Sequence, residues 1–234
     1  MNRCNTQVLR VCLFLLATVP AYCQRVTVGI DAGQTSDKFG GQASTTSFEY
    51  GIDGQVTVLK PSEKKGGPGI VAGGEILVPA NSANHAKEYA IYGGPMFQAH
   101  NLTIGVNAQI RKIFLPVASF DNQVFNRQNM ELLELPVTIK YSFGSAKHAF
   151  VQVQGAPEFS PRFRRSVPNP FTLPNPTLDH GYFIRGSAGY IFGTFYAKAT
   201  YETRYFKFDN NAGNPNGIYN WRTNMIMGGV GFAF

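Results

Sequence analysis

Four histidines, His85, His100, His148 and His180, are the first residues to weigh for metal or proton chemistry. They are scattered, and no two stand at a ligand-pair spacing, so a zinc site is not expected. Asp179-His180 follows Ser160 and Ser166, which are the residue types of an acyl-transfer triad at the rim of a strand. Adjacent strand residues point to opposite faces, so this spacing predicts that Asp179 does not orient His180. Gly67-Pro68-Gly69-Ile70-Val71-Ala72 has the glycine spacing of a dinucleotide loop. It follows a charged stretch rather than a strand, and no helical pattern comes after it, so the match is chance. Asp209 to Gly217 has the composition of a calcium loop, but the register fails at Gly213 and the stretch reads as an Asn/Gly turn. The sequence therefore predicts no catalytic residue, no cofactor and no metal.

The elements around these residues carry more information. The chain has 234 residues, of which 44% are hydrophobic, 15% charged and 13% aromatic. That apolar content excludes a disordered chain, and no 18-residue apolar run follows residue 24, so a helical membrane protein is excluded too. The net charge of +7 has no long Lys/Arg block behind it, which argues against a nucleic-acid partner. Arg3 and Arg10 precede the apolar run Val11–Val19, and Pro20 and small residues follow. This is the pattern of an export signal, with residues 1–23 removed and residues 24–234 forming the mature domain. Cys4, Cys12 and Cys23 leave with it, so no disulfide framework or thiolate chemistry is expected. Nineteen bases then face fourteen acids, a net charge of +5.

The mature chain alternates with period two. Leu133, Leu135, Val137, Ile139, Tyr141 and Phe143 share one face of 132–143, and Glu134, Thr138, Lys140 and Ser142 share the other. A helix would mix these sets and a strand separates them. Eight such segments are predicted, at about 25–36, 87–99, 101–114, 130–144, 147–159, 181–192, 194–208 and 222–234. Their connections alternate between tight turns, near His100, Gly144 and Gly193, and long loops. Antiparallel neighbours joined in this lopsided way describe an all-β, eight-stranded, antiparallel up-and-down transmembrane β-barrel, with short periplasmic turns and long extracellular loops.

A soluble barrel alternates too, with its apolar face inward. Charge on the opposite face decides for the membrane, because a soluble barrel would bury it without partners. Phe97, Tyr141, Phe143, Phe192, Phe195, Phe232 and Phe234 gather at the short-turn rim, where a bilayer girdle would sit. With the apolar face outward, Asp31, Glu88, Glu134, Glu158 and Glu202 line the lumen with Arg111, Lys140, Arg185, Lys198 and Arg204. Five acids against five bases predict a paired structural plug, whereas an ion-selective path would want an excess of one sign.

Residues 37–86 read as a long extracellular loop or a hairpin extension of the wall, with strand-like stretches at 45–50, 55–59 and 70–78. Two further membrane strands, giving ten in all, are the alternative; glycine and polar content favour the loop. Residues 160–178 hold Arg162, Arg164, Arg165 and five prolines, so this segment is expected to be extended or turned rather than sheet. Facing outward, the three arginines suit lipopolysaccharide phosphates as bidentate donors.

RVTVGIDAGQTSDKF at the start, LELPVTIKYSF with HAFVQVQGAPEFS, FYAKATYETRYFKF, and the closing MIMGGVGFAF appear in that order. Together they resemble the bacterial outer-membrane β-barrel domain family of small OmpA/OmpX-like and PorT-like barrels. The resemblance covers roughly 25–39 and 87–234 and leaves out 40–86. The partners expected are outer-membrane lipid and lipopolysaccharide, around a monomer. The resemblance implies that the last strand, ending on Phe232 and Phe234, is the signal read by the assembly machinery. The function expected is non-enzymatic, either structural or directed to the surface through the long loops. The alternatives are a narrow passive channel for small or apolar solutes and, third, a lipid A-modifying enzyme.

Overall fold

The computed structural model describes residues 25–40, 43–59, 66–80, 86–114, 128–144, 148–165, 177–209 and 219–234. The predicted export signal, His85, Ser166, the Glu63-Lys64-Lys65 stretch and most of the Asp209–Gly217 turn lie outside the described residues. Among the described residues twelve strands follow in chain order: β1 (Arg25–Phe39), β2 (Thr45–Leu59), β3 (Gly67–Pro79), β4 (Lys87–Ala99), β5 (Leu102–Val106), β6 (Ala108–Phe114), β7 (Gln128–Glu134), β8 (Val137–Phe143), β9 (Ala149–Arg165), β10 (Thr177–Phe192), β11 (Phe195–Asp209) and β12 (Tyr219–Ala233).

All pairings are antiparallel, and they close into a ring. β1 pairs with β2 and β12, β11 with β10 and β12, and β10 with β9. β4 pairs with β5 through Met96–Ala99 and with β6 through Lys87–Gly93, so β5 and β6 are two halves of one stave. β7 and β8 are likewise two halves of a stave laid against β9. The breaks fall at Asn107 and at Leu135-Pro136 on neighbouring staves, and the Asn107 N–H donates to the Pro136 carbonyl at 3.0 Å. Proline has no N–H for the ladder, which is the local reason for the interruption.

The barrel has ten staves, not the eight expected. The two additional staves are β2 and β3, which occupy most of the segment read as an extracellular loop. Phe48, Tyr50 and Ile52 point outward from β2, with Ser47, Glu49 and Gly51 buried between them. On β3, Ile70, Ile76 and Val78 are exposed while Val71 and Leu77 are buried. The polar residues and glycines that weighed against strands here are the lumen-facing half of the alternation. The proline-rich segment also begins later than expected, because Ser160–Arg165 continue β9.

Both ends of the described chain lie at one end of the ring, termed here the terminal end. The predicted tight turns at His100 and Gly193 are found there, with positive φ of 53° and 63°; Gly144, at the same end, has a positive φ of 75°, and residues 145–147 after it lie outside the described residues. The wall is inside out by the standard of a soluble protein. Ile30, Ile91 and Ile226 are 62–65% exposed, while Arg111, Glu134 and Arg204 are 0–1% exposed. An apolar outer surface of this extent suits a hydrocarbon surrounding. The predicted aromatics form the terminal-end girdle, with Phe195 and Phe232 rings 4.8 Å apart and Tyr141 and Phe143 rings 5.0 Å apart.

Candidate functional site in the layered lumen

Two inward positions on the same strand are two residues apart, so they stack along the barrel axis. On β6, Arg111 is followed by Ile113; on β11, Arg204 by Phe206; on β7, Leu132 precedes Glu134. In each case the apolar member lies toward the end opposite the termini. The result is an apolar layer over a charged layer.

The apolar cap joins Ala86, Ile113, Met130, Leu132, Phe206, Phe208 and Trp221. Phe206 and Trp221 stack with centroids 5.1 Å apart. The indole N–H of Trp221 donates to Asp37 Oδ1 at 3.0 Å, and the Thr223 hydroxyl donates to the same oxygen at 2.7 Å.

Beneath the cap lies a continuous ion network. Arg111 reaches Glu75 and Glu88 at 3.0 Å and Glu134 at 3.2 Å. Arg204 reaches Glu88 at 2.8 Å, Glu202 at 2.7 Å and Glu158 at 3.7 Å. Arg185 joins Glu75 at 2.7 Å to Glu202 at 2.6 Å. Gln109 donates to the second oxygen of Glu134. Phe183, itself 1% exposed, lies 5.7 Å from the Arg111 guanidinium and 6.0 Å from that of Arg204. Two like charges are thus held in one layer by shared carboxylates and an intervening ring face.

The expected balance of five against five is corrected. Among the described residues, Asp37, Glu49, Asp53 and Glu75 join the five predicted acids inside, while Arg25 alone joins the five predicted bases. Three of those acids come from β2 and β3, in the segment that the sequence favoured as a loop or hairpin extension. Asp53 and Glu75 are cross-strand partners, which would repel if left alone. Lys198 reaches Asp53 at 2.7 Å and Asp31 at 3.2 Å, and Arg185 holds Glu75, so each acid is met by a cation from another stave.

Toward the terminal end the lumen is hollow. A cavity of about 320 Å³ is lined by Gln55, Gln98, Gln152, Thr103, Thr138 and Lys140 among others, and it extends to Arg25, Ser142 and Ala233 at the rim. Lys140 lies 4.4 Å from the Phe150 ring centroid.

Asp179 and His180 depart from expectation. His180 Nδ1 lies 3.1 Å from Asp179 Oδ2, and Lys207 donates to that same oxygen at 2.8 Å. A register shift between Leu178 and His180 makes Asp179 a bulge residue, which lifts the rule that neighbours face apart. The group is exposed, and the side chains of Ser160 and Ser166 lie outside the described residues. Arg162 stands on β9 opposite Glu131. Arg164 and Arg165 pair by backbone with Asn129 and Gln128, and their side chains lie outside the described residues.

No family model and no curated protein matches the chain. Among solved structures it is similar to Neisserial surface protein A, at 11% identity over 89% of this chain and 97% of that one, TM-score 0.40. It is similar to the outer membrane protease OmpT from Escherichia coli, at 12% identity over 90% and 96%, TM-score 0.48. It is also similar to Ail, the attachment invasion locus protein of Yersinia pestis, at 13% identity over 90% and 98%, TM-score 0.35. These are outer-membrane β-barrel proteins, the class that the sequence motifs resemble.

Proposed function

We propose that the chain is a non-enzymatic outer-membrane β-barrel whose lumen is closed, with a structural or surface-interaction role. The observation that carries this reading is the buried network of Arg111, Arg185 and Arg204 with five glutamates, lying beneath the apolar cap. A conducting path needs a wetted line of sites that bind weakly enough to release an ion. Among the described residues, side chains that are 0–1% exposed, such as Arg111, Glu134, Phe206 and Trp221, leave no such line through the capped half. In this reading the terminal end faces the periplasm. Residues 1–23 are the removed export signal, and Phe232 and Phe234 belong to the strand read during assembly. Purified protein in a planar bilayer should show no regular conductance steps. Stable steps of one size would favour the narrow channel. N-terminal sequencing of protein from outer membranes tests the cleavage.

A lipopolysaccharide contact is favoured by a different pair from the arginines of the sequence reading. Lys38 and Arg222 are directly opposed across β1 and β12, and both are exposed on the outer wall. Like charges opposed in this way repel, and among the described residues no carboxylate pairs with either. Arg222 is twelve residues from Phe234 along β12. A tilted strand of that length climbs roughly 30 Å, past an apolar band of about 25 Å, to the height of headgroup phosphates. The double reversal Lys38→Glu, Arg222→Glu should lower the lipopolysaccharide that copurifies. Unchanged copurification would remove the contact. Reversal at Arg162, Arg164 and Arg165 tests a contact through those three arginines in the same assay.

A further inference from the structure

We propose that the hollow half of the lumen is a binding pocket for a small hydroxylated carboxylate, with Lys140 as the anchor for the anion. The cavity of about 320 Å³ is at the small end of the range for ligand pockets. Its cations are not equivalent. Lys198 is held by Asp31 and Asp53, and Arg185 by Glu75 and Glu202. Lys140 has the Phe150 ring at 4.4 Å and, among the described residues, no carboxylate partner. An ammonium turned into a partly enclosed space without an anion is poorly compensated, and a ligand carboxylate supplies what is missing.

The surroundings of Lys140 specify the rest of the ligand. Backbone register sets Gln98 beside Thr103, Thr103 beside Lys140, Lys140 beside Gln152, Gln152 beside Ser187 and Ser187 beside Thr200. All six line the cavity, as one row across six strands. Every member other than Lys140 both donates and accepts, which matches hydroxyl groups rather than an alkyl chain. Phe150 adds an apolar face on which the carbon skeleton of such a molecule can rest.

The test is calorimetric titration of the purified protein in detergent micelles with D-glucuronate, D-glucose and D-glucosamine. Glucuronate should bind saturably, and glucose, which lacks the carboxylate, about tenfold more weakly or less. Glucosamine should be weakest. Lys140→Gln should bring glucuronate down to the affinity of glucose, and Lys140→Arg should retain most of the binding. Added sodium chloride should weaken glucuronate binding to the wild-type protein, and this arm decides the matter if the Gln variant does not refold. No saturable heat with glucuronate, equal affinity for glucose, or a Gln variant that binds glucuronate normally would each overturn the pocket. Only the pocket's opening toward the periplasm rests on the closed-lumen reading. Steady bilayer conductance would overturn that reading and leave the titration to judge the pocket.

Discussion

Glu202 and Arg204 stand two residues apart on β11, face the lumen together, and meet at 2.7 Å from Oε1 to Nη2. The other oxygen of Glu202 receives Arg185 from β10 at 2.6 Å, so one buried carboxylate holds two guanidinium groups. Removing one partner of a buried ion pair leaves uncompensated charge and costs about 3–5 kcal/mol. Glu202→Ala is therefore expected to lower the unfolding free energy by about that amount in lipid vesicles, measured by urea titration. Glu202→Gln, which keeps a hydrogen-bond acceptor, should cost less. A loss below about 1 kcal/mol for the alanine variant would mean that the network is not the seal described above.

Trp221 is the chain's only tryptophan and is 1% exposed in the apolar cap, so fluorescence reports on that layer alone. Emission should be blue-shifted and poorly quenched by acrylamide. Asp37→Ala removes the oxygen that takes both the indole N–H and the Thr223 hydroxyl. Two buried donors are then stranded, at about 1–3 kcal/mol each. The variant should unfold at lower urea with a red-shifted, more quenchable tryptophan. An emission spectrum already at the solvent-exposed position in the wild type would contradict the cap.

Eight of the ten staves were legible because their apolar and polar faces separate cleanly, as in 132–143 and 226–234. β2 and β3 were legible as strand-like stretches but not as staves, because Glu49, Gly51, Asp53, Gly73, Gly74 and Glu75 look like loop chemistry until a lumen receives them. Asp53 and Glu75 become acceptable inside only through Lys198 and Arg185, which are more than a hundred residues away in sequence. No local pattern carries that information. All ten predicted lumen charges do face inward, since period two alone assigns a face. The stacking of cap over network is also implicit in Arg111/Ile113 and Arg204/Phe206. Asp179 beside His180 was misread because a bulge is a property of pairing and cannot be seen in one strand.

Gly229 sits between Asp31 on β1 and Lys198 on β11 in backbone register, and a side chain there would occupy the position of the Asp31 carboxylate. The gap lets Lys198 Nζ reach Asp31 Oδ2 at 3.2 Å. Gly229→Val should push the pair apart and destabilise the barrel by about 1–3 kcal/mol, as overpacking does. Loss of Asp31 by mutation to alanine beforehand should make the valine better tolerated. Simple additivity of the two changes in a double-mutant cycle would show that the glycine serves some other contact.

Asp179, at the exposed end of β10 away from the termini, is held below the usual carboxylate range by the hydrogen bond from Lys207, with His180 adding to it. A depressed folded-state pKa contributes stability that is present above the unfolded value and is lost as pH falls through the folded one. Any contribution from this contact should therefore persist through mildly acidic pH and disappear only at the acid end. Carbon-detected NMR titration should find the Asp179 midpoint below about 3.9, the ordinary aspartate value. Lys207→Ala should move that midpoint upward toward it, because the lysine that donates to the carboxylate is gone. The same titration should leave the lumen network untouched, since Asp179 lies on the outer face of the wall and shares no partner with Glu202 or Arg204. A midpoint that does not move in Lys207→Ala would show that the lysine is not what holds the carboxylate ionised.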